Sequence, residues 1–235
     1  MIEFLFLDLD DTILDFHKAE AAAVAKTIRE FGADPTPDIL ARYHEINRWH
    51  WQQLELGNLT REQVLENRFA VLFEELGLAV NPAHCARSYE YNLSREHAFL
   101  PGAQEALEEL KKKYRLFLAS NGTATVQHSR LTDANLYRFF EQVFISQEVG
   151  YNKPAREFFE ACFDRIPGFD RERAVMVGDS LTSDILGGIN AGIPTVWVNG
   201  EGKQADGIRP DYEIQTLSQL GDLLARLERE EVAQA

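Results

Sequence analysis

The chain opens on a short run, Ile2-Glu3-Phe4-Leu5-Phe6-Leu7, apolar at every position but one, and stops at Asp8-Leu9-Asp10-Asp11-Thr12. A run of this length with no polar alternation predicts a strand buried on both faces, as in a parallel sheet. The period then lengthens. Helical spacing predicts helices over 19–31, 38–56 and 60–76, with a break at Pro35 and Pro37, and a fourth helix after Pro82. Thr60-Arg61-Glu62-Gln63 has the form of a capping box at the start of the third. No strand pattern occurs between about 16 and 95. Past Pro101 the rhythm alternates. Helices are predicted over 103–113, 125–134, 155–165 and 184–191, and strands over 115–119, 142–145, 174–177 and 195–198. A short strand over 211–214 and a terminal helix from Leu217 follow, with a tail expected to fray over 228–235.

Alternation of this kind predicts an α/β fold, a Rossmann-like parallel sheet core with helices on both faces. The all-helical stretch interrupts it directly after the first strand. The expected organisation is a catalytic core from 1–15 and 96–235 and a helical cap from 16–95. In open parallel sheets, sites form beyond the carboxyl ends of the strands. A cap rooted there would cover the site and exclude water.

Composition narrows the partners. The 235 residues carry a formal net charge of −14 and are 45% hydrophobic. A surface so acidic does not suit a nucleic acid polymer or an anionic membrane. The one dense basic run, Lys111-Lys112-Lys113, falls at a predicted helix end, where it complements the helix dipole. No apolar run approaches the roughly 18–20 residues of a membrane span, and the acidic start does not read as a signal peptide. Cys85 and Cys162 have no metal-like spacing and are expected as buried free thiols. A cytoplasmic protein is expected, as a monomer or homodimer.

The candidate chemistry sits where the strands end. Asp8 and Asp10, two apart at a strand tip, are expected to point the same way. Two carboxylates held together repel unless a hard cation such as Mg²⁺ joins them. The strand over 115–119 runs into Ser120-Asn121-Gly122, and that over 174–177 into Gly178-Asp179, with Asp184 five residues on. Lys153-Pro154 precedes a helix between them. These types suit phosphoryl transfer. Asp8, the backbone carbonyl of Asp10 and Asp179 can hold the metal, with Asp184 supporting it through water. Ser120, Lys153 and the N–H groups around Asn121 can hold phosphate oxygens. Asp8 is left to attack phosphorus, and Asp10 to protonate the leaving oxygen and then deprotonate water.

The ordered set Phe4–Thr12, Leu116–Ser120, Lys153 and Gly178–Asp184 resembles the haloacid dehalogenase-like (HAD) superfamily, and within it the aspartate-nucleophile phosphatases. The resemblance implies an aspartyl-phosphate intermediate, Mg²⁺ dependence and a small phosphate monoester as substrate. Gly57-Asn58-Leu59-Thr60 with Arg68-Phe69, the segment 184–192, and Ser146–Gly150 resemble the pyrimidine 5′-nucleotidase branch. That narrower resemblance implies hydrolysis of pyrimidine nucleoside monophosphates. Phosphatases of phosphoglycolate or a sugar phosphate, and phosphomutases, share the same core residues. A dehalogenase of haloacids needs no acid two residues past its nucleophile, so Asp10 counts against it. A phospho-accepting regulatory domain lacks the large insertion and has no use for Asp10.

The plainer readings are structural. Gly187-Gly188 and Gly192 fit close packing and a helix C-cap better than a nucleotide loop. Trp49, Trp51, Phe69 and Tyr91 are first of all candidates for the core of the helical insertion. Phe16 and His17, at its root, are better placed to meet a substrate.

Overall fold

The computed structural model describes residues 1–205 and 207–234. Among these, six parallel strands form one sheet in the order β3-β2-β1-β4-β5-β6. The strands are β1 (Phe4–Leu7), β2 (Arg115–Ser120), β3 (Gln142–Ile145), β4 (Ala174–Gly178), β5 (Thr195–Val198) and β6 (Tyr212–Ile214). β1 starts two residues later than the apolar run from Ile2, and the other strand predictions agree within a residue. β1 is central, paired with β2 on one side and β4 on the other. The chain reverses its direction of travel across the sheet here, and such a point opens a crevice at the strand ends.

Period-two alternation splits the core into two layers. Leu5, Leu7, Leu116, Leu118, Val175 and Val177 lie on one face with Leu107 of α5 (Ala103–Leu110), Leu131 of α6 (Ala124–Asp133) and Leu224 of α10 (Leu220–Gln234). Phe4, Phe6, Phe117 and Met176 lie on the other, with Phe158, Phe159 and Phe163 of α8 (Arg156–Phe163) and Ala191 of α9 (Leu186–Ala191). Phe6 stacks on Phe117 at 5.3 Å and meets Phe163 edge-on at 5.4 Å. Each fully buried side chain of this size contributes about 1.5–3 kcal/mol. That burial explains why β1 carries no polar side chain until Asp8.

Between β1 and β2 lie α1 (Phe16–Glu30), α2 (Pro37–Glu55), α3 (Arg61–Glu75) and α4 (Pro82–Leu93). Asp15 caps α1 by accepting from Lys18 N, and Thr60 and Gln63 close the predicted capping box on α3. Pro37 and Pro82 stand in first turns, where a missing N–H costs nothing. The apolar faces meet in a separate core of Val24, Ile28, Tyr43, Phe69, Phe73 and Tyr89. Cys85 belongs to it and Cys162 to the phenylalanine layer, both as buried free thiols.

Several expectations need correction. Phe69 is buried, but Trp49 and Tyr91 are 53% and 64% exposed, so neither is bundle core. The helix expected over 103–113 ends at Leu110, which leaves the three lysines beyond it. Lys111 donates to the Arg138 carbonyl and Lys112 pairs with Glu109. An extra helical turn, α7 (Ser146–Val149), follows β3. The helix expected from Asp184 begins as a π-type turn over Leu181–Ile185 before α9. The tail stays helical to Gln234, and Ala235 lies outside the described residues. No helix among the described residues is long and apolar enough to cross a membrane.

Candidate active site

The sheet register lines up the motif residues. Leu7 pairs with Leu118 and Val177, so Asp8 stands beside the ends of β2 and β4, next to Ser120 and Gly178-Asp179. Asp8 N donates to Val177 O at 2.9 Å, which continues the ladder one residue past β1. The chain then turns sharply, with Ile13 N and Leu14 N both donating to Leu9 O. Asp11 occupies the left-handed region at φ 54°. Its side chain accepts from Phe16 N and His17 N, a local bonding that lets an Asp hold this conformation.

Asp8 continues the parity of Phe4 and Phe6, so it belongs to the sheet face covered by α8 and α9. There it meets Lys153, which is 1% exposed. The lysine Nζ donates at 2.6 Å to Asp8 Oδ1, to Asp184 Oδ1 and to Ala119 O. Three acceptors use its three protons, which defines a charged ammonium. Its pKa is raised: burial opposes the charge, but Asp184 and Asp8 outweigh burial. Oxygens of Asp8, Asp179 and Asp184 lie within 4.8 Å of one another. Three carboxylates against one ammonium leave the site two positive charges short. Burial, followed by Asp184 and Asp10, pushes Asp8 up to about 8 despite Lys153. Burial, followed by Asp184, Asp8 and Asp11, pushes Asp179 well above the carboxylate range. An all-oxygen donor set with this deficit fits one hard divalent cation.

The second motif residue does not share Asp8's partners. Asp10 Oδ1 accepts from Arg130 Nη1 at 2.6 Å and Asp10 Oδ2 from Gln127 Nε2 at 2.8 Å. The turn at Leu9 has rotated it toward α6, away from the direction a continued strand would give. Gln127 also donates to Ser120 Oγ at 2.9 Å, so one amide fixes both the Asp10 carboxyl and the Ser120 hydroxyl. Asn121 is reciprocally bonded to Lys153: Lys153 N donates to its Oδ1, and its Nδ2 donates to Lys153 O and Ser183 Oγ. It therefore orients the lysine loop. Two glycines are required by space. A Cβ at Gly178 would lie 2.1 Å from Asp184 Oδ2, and one at Gly122 would lie 2.3 Å from Gln127 Nε2.

All seven predicted residues (Asp8, Asp10, Ser120, Asn121, Lys153, Asp179 and Asp184) line one cavity of about 590 Å³. The helical insertion supplies its other wall, including Phe16, His17, Trp51, Arg68 and Glu90. Sequence reasoning missed Arg130, Gln127 and Arg61. Arg130 is fully buried, and nothing in its helix distinguishes it from a surface arginine. Arg61, first residue of α3, donates to Asn121 O, Ser146 Oγ and Asn152 Oδ1. Its only signal was the helix start itself. Glu55, last in α2, accepts from Thr182 Oγ1 at 2.7 Å.

The description "haloacid dehalogenase-like hydrolase" matches residues 2–192. The chain belongs to this family. Over 221 residues it is 38% identical to the HAD-hydrolase YfnB of Bacillus subtilis (strain 168), covering 94% of each chain. The crystal structure of YfnB, described as bound to magnesium and revealing interdomain movement, superposes with a TM-score of 0.91 at 37% identity, covering 95% of this chain and 98% of that one. Pyrimidine 5′-nucleotidase PynA of Streptococcus pneumoniae (strain ATCC BAA-255 / R6) is 35% identical over 224 residues, 94% of each chain. Glyceraldehyde 3-phosphate phosphatase of Pyrococcus furiosus is 31% identical over 235 residues, 97% of this chain and 94% of that one. This HAD hydrolase thus has relatives that act on different small phosphate esters.

Proposed function

We propose that the protein is a Mg²⁺-dependent phosphomonoester hydrolase, acting on pyrimidine nucleoside 5′-monophosphates. The observation that carries the chemistry is the cluster of Asp8, Asp179, Asp184 and Lys153, short of two positive charges, at the floor of the cavity. Asp8, Asp179, Asp184 and the Asp10 carbonyl would hold the ion. When bound, it neutralises the carboxylates and phosphate oxygens that would otherwise repel one another.

The chain's own residues perform the transfer in two steps. A phosphate oxygen pair is received by Lys153, Ser120 Oγ and the N–H groups after Ser120. Asp8 then attacks phosphorus with a carboxylate oxygen. The bond to the ester oxygen breaks as Asp10 gives that oxygen its proton, and the alcohol leaves. The product on the enzyme is an aspartyl phosphate at Asp8. Asp10, now a carboxylate, takes a proton from water as the water oxygen attacks the same phosphorus. Asp8 is released as carboxylate with inorganic phosphate. Arg130 and Gln127 fix the position of the Asp10 carboxyl for both steps.

The pyrimidine nucleotide reading is supported by the likeness to PynA and by a roofed cavity with Phe16 and Trp51 in its wall. Its test is phosphate release with Mg²⁺ from a panel of monophosphates. UMP, dUMP or dTMP should exceed hexose phosphates, phosphoglycolate and glyceraldehyde 3-phosphate in kcat/KM by at least about tenfold. If one of the other esters wins, the nucleotidase reading falls and the phosphatase reading stands.

A further inference from the structure

The phosphate chemistry engages the floor of the cavity, and two charged groups that the helical insertion places in its wall have no task in it. One is Glu90 on α4. Its Oε1 is buried and has no hydrogen-bond partner among the described residues, yet the residue lines the same cavity as Asp8. The other is Arg68 on α3, 2% exposed and on the same wall. Its Nη1 donates to Asn47 Oδ1 at 2.7 Å and its Nε to Leu65 O at 3.3 Å, while its Nη2 makes no hydrogen bond among the described residues. The guanidinium lies over the Tyr89 ring, 4.6 Å from its centroid. Asn47 is fixed in turn by Glu20, whose other oxygen takes His44, both at 2.6 Å. Arg68 is thus held by stacking and by a braced amide, with one donor edge left over. Leaving a carboxylate oxygen buried without a donor costs free energy. A ligand entering the cavity can supply that donor.

We infer that Arg68 and Glu90 read the part of the substrate beyond the phosphate, and that this part presents an N–H beside a carbonyl oxygen, as the amide edge of a nucleobase does. The inference rests on the nucleotidase reading and names the residues that give it effect. A carboxylate only accepts and a guanidinium only donates, so together they match a group that carries one donor and one acceptor in fixed positions. A second carboxylate or phosphate on the substrate would be repelled by Glu90. A sugar hydroxyl could satisfy either group, but its proton rotates and fixes no orientation. Rejection of ligands that leave buried polar groups unpaired is a strong source of discrimination.

The test compares kcat/KM for UMP and for ribose 5-phosphate, the same sugar phosphate without its base, in the wild type, Glu90→Gln, Arg68→Lys and Arg68→Met. Glu90→Gln can turn a donor toward the ring N–H. It should lower kcat/KM for UMP at least about tenfold more than for ribose 5-phosphate. Both Arg68 variants should shift the ratio in the same direction. Uridine, which cannot react, should inhibit the wild type, and Glu90→Gln should weaken that inhibition at least about fivefold. Melting curves identify an Arg68 variant that fails to fold, in which case the partly exposed Glu90 decides alone. If the wild type prefers UMP but Glu90→Gln keeps the ratio within about twofold, the inference is overturned and the nucleotidase reading survives. If the wild type itself shows no preference for UMP, both fall together.

Discussion

At the scale of the residue, the site depends on a buried excess of negative charge held by a single lysine. Asp8→Asn removes the proposed nucleophile while keeping the side chain's shape. Because phosphate monoesters are among the slowest substrates to hydrolyse unaided, with accelerations up to about 10²¹, no turnover should remain measurable. Phosphate release by Asp8→Asn at near wild-type rate would contradict the mechanism. Asp10→Asn should lower kcat by roughly 10²–10⁴, the usual weight of a general acid–base, while Mg²⁺ affinity measured by titration changes little because the backbone carbonyl remains. Gly178→Ala probes the same geometry from outside the reacting groups. A Cβ there would lie 2.1 Å from Asp184 Oδ2, so Asp184 must move. Mg²⁺ affinity and activity should fall together in a protein whose far-UV spectrum is unchanged. The motif residues were legible because acids at the end of an apolar strand are hard to explain otherwise. Arg130 and Gln127 were not legible. They occupy ordinary helical positions, and only the turn after Leu9 brings Asp10 to them.

At the scale of the element, the α2–α3 hairpin joins the helical insertion to the phosphate site. Arg61 begins α3 and reaches Asn121 O, Asn152 Oδ1 beside Lys153, and Ser146 Oγ at the start of α7. Glu55 ends α2 and bonds Thr182 in the loop that carries Asp184. Burial pushes the Glu55 carboxyl up to about 7, with Asp184 adding to the rise and Thr182 and Lys153 opposing it. The folded state therefore binds more protons than the unfolded chain between about pH 4.5 and 7, and stability must fall as pH rises through that window. Glu55→Gln removes this slope. Its melting temperature relative to wild type should climb from pH 4.5 to 8 and then level off. The climb should be worth about 1–2 kcal/mol, reduced from the full shift because Glu55 is only half-buried. A difference that stays flat over that range would show that Glu55 is not held as described. The helices themselves were legible from spacing, prolines and the capping box. The π-type turn at Leu181–Ile185 was not, since it depends on how Asp184 sits against Gly178.

At the scale of the whole molecule, the parallel sheet and its helical insertion followed from the switch between strand and helix rhythm. Strand order and the wall opposite Asp8 required the three-dimensional arrangement, because the residues that line one cavity come from positions as far apart as Phe16 and Lys203. The fold concentrates carboxylates at one end of β1 and β4 in a protein already at net charge −14. The apo state should therefore be strained by repulsion, and the cation should relieve it. At Mg²⁺ near one hundred times its dissociation constant, linkage adds about 2.7 kcal/mol. For a chain of this length that raises the melting temperature by roughly 5–10 °C, which EDTA should abolish. Asp179→Asn separates repulsion from binding. The Asp179 side chain makes no hydrogen bond or ion pair among the described residues, and its carboxyl is pushed up by burial and by Asp184 and Asp8. Replacing it removes a like charge without breaking a contact. In EDTA the variant should melt higher than wild type, by at least about 1 kcal/mol of added stability, while Mg²⁺ should raise its melting temperature far less. If Asp179→Asn were less stable than wild type in EDTA, or gained as much from Mg²⁺, Asp179 would have some other role than holding the ion.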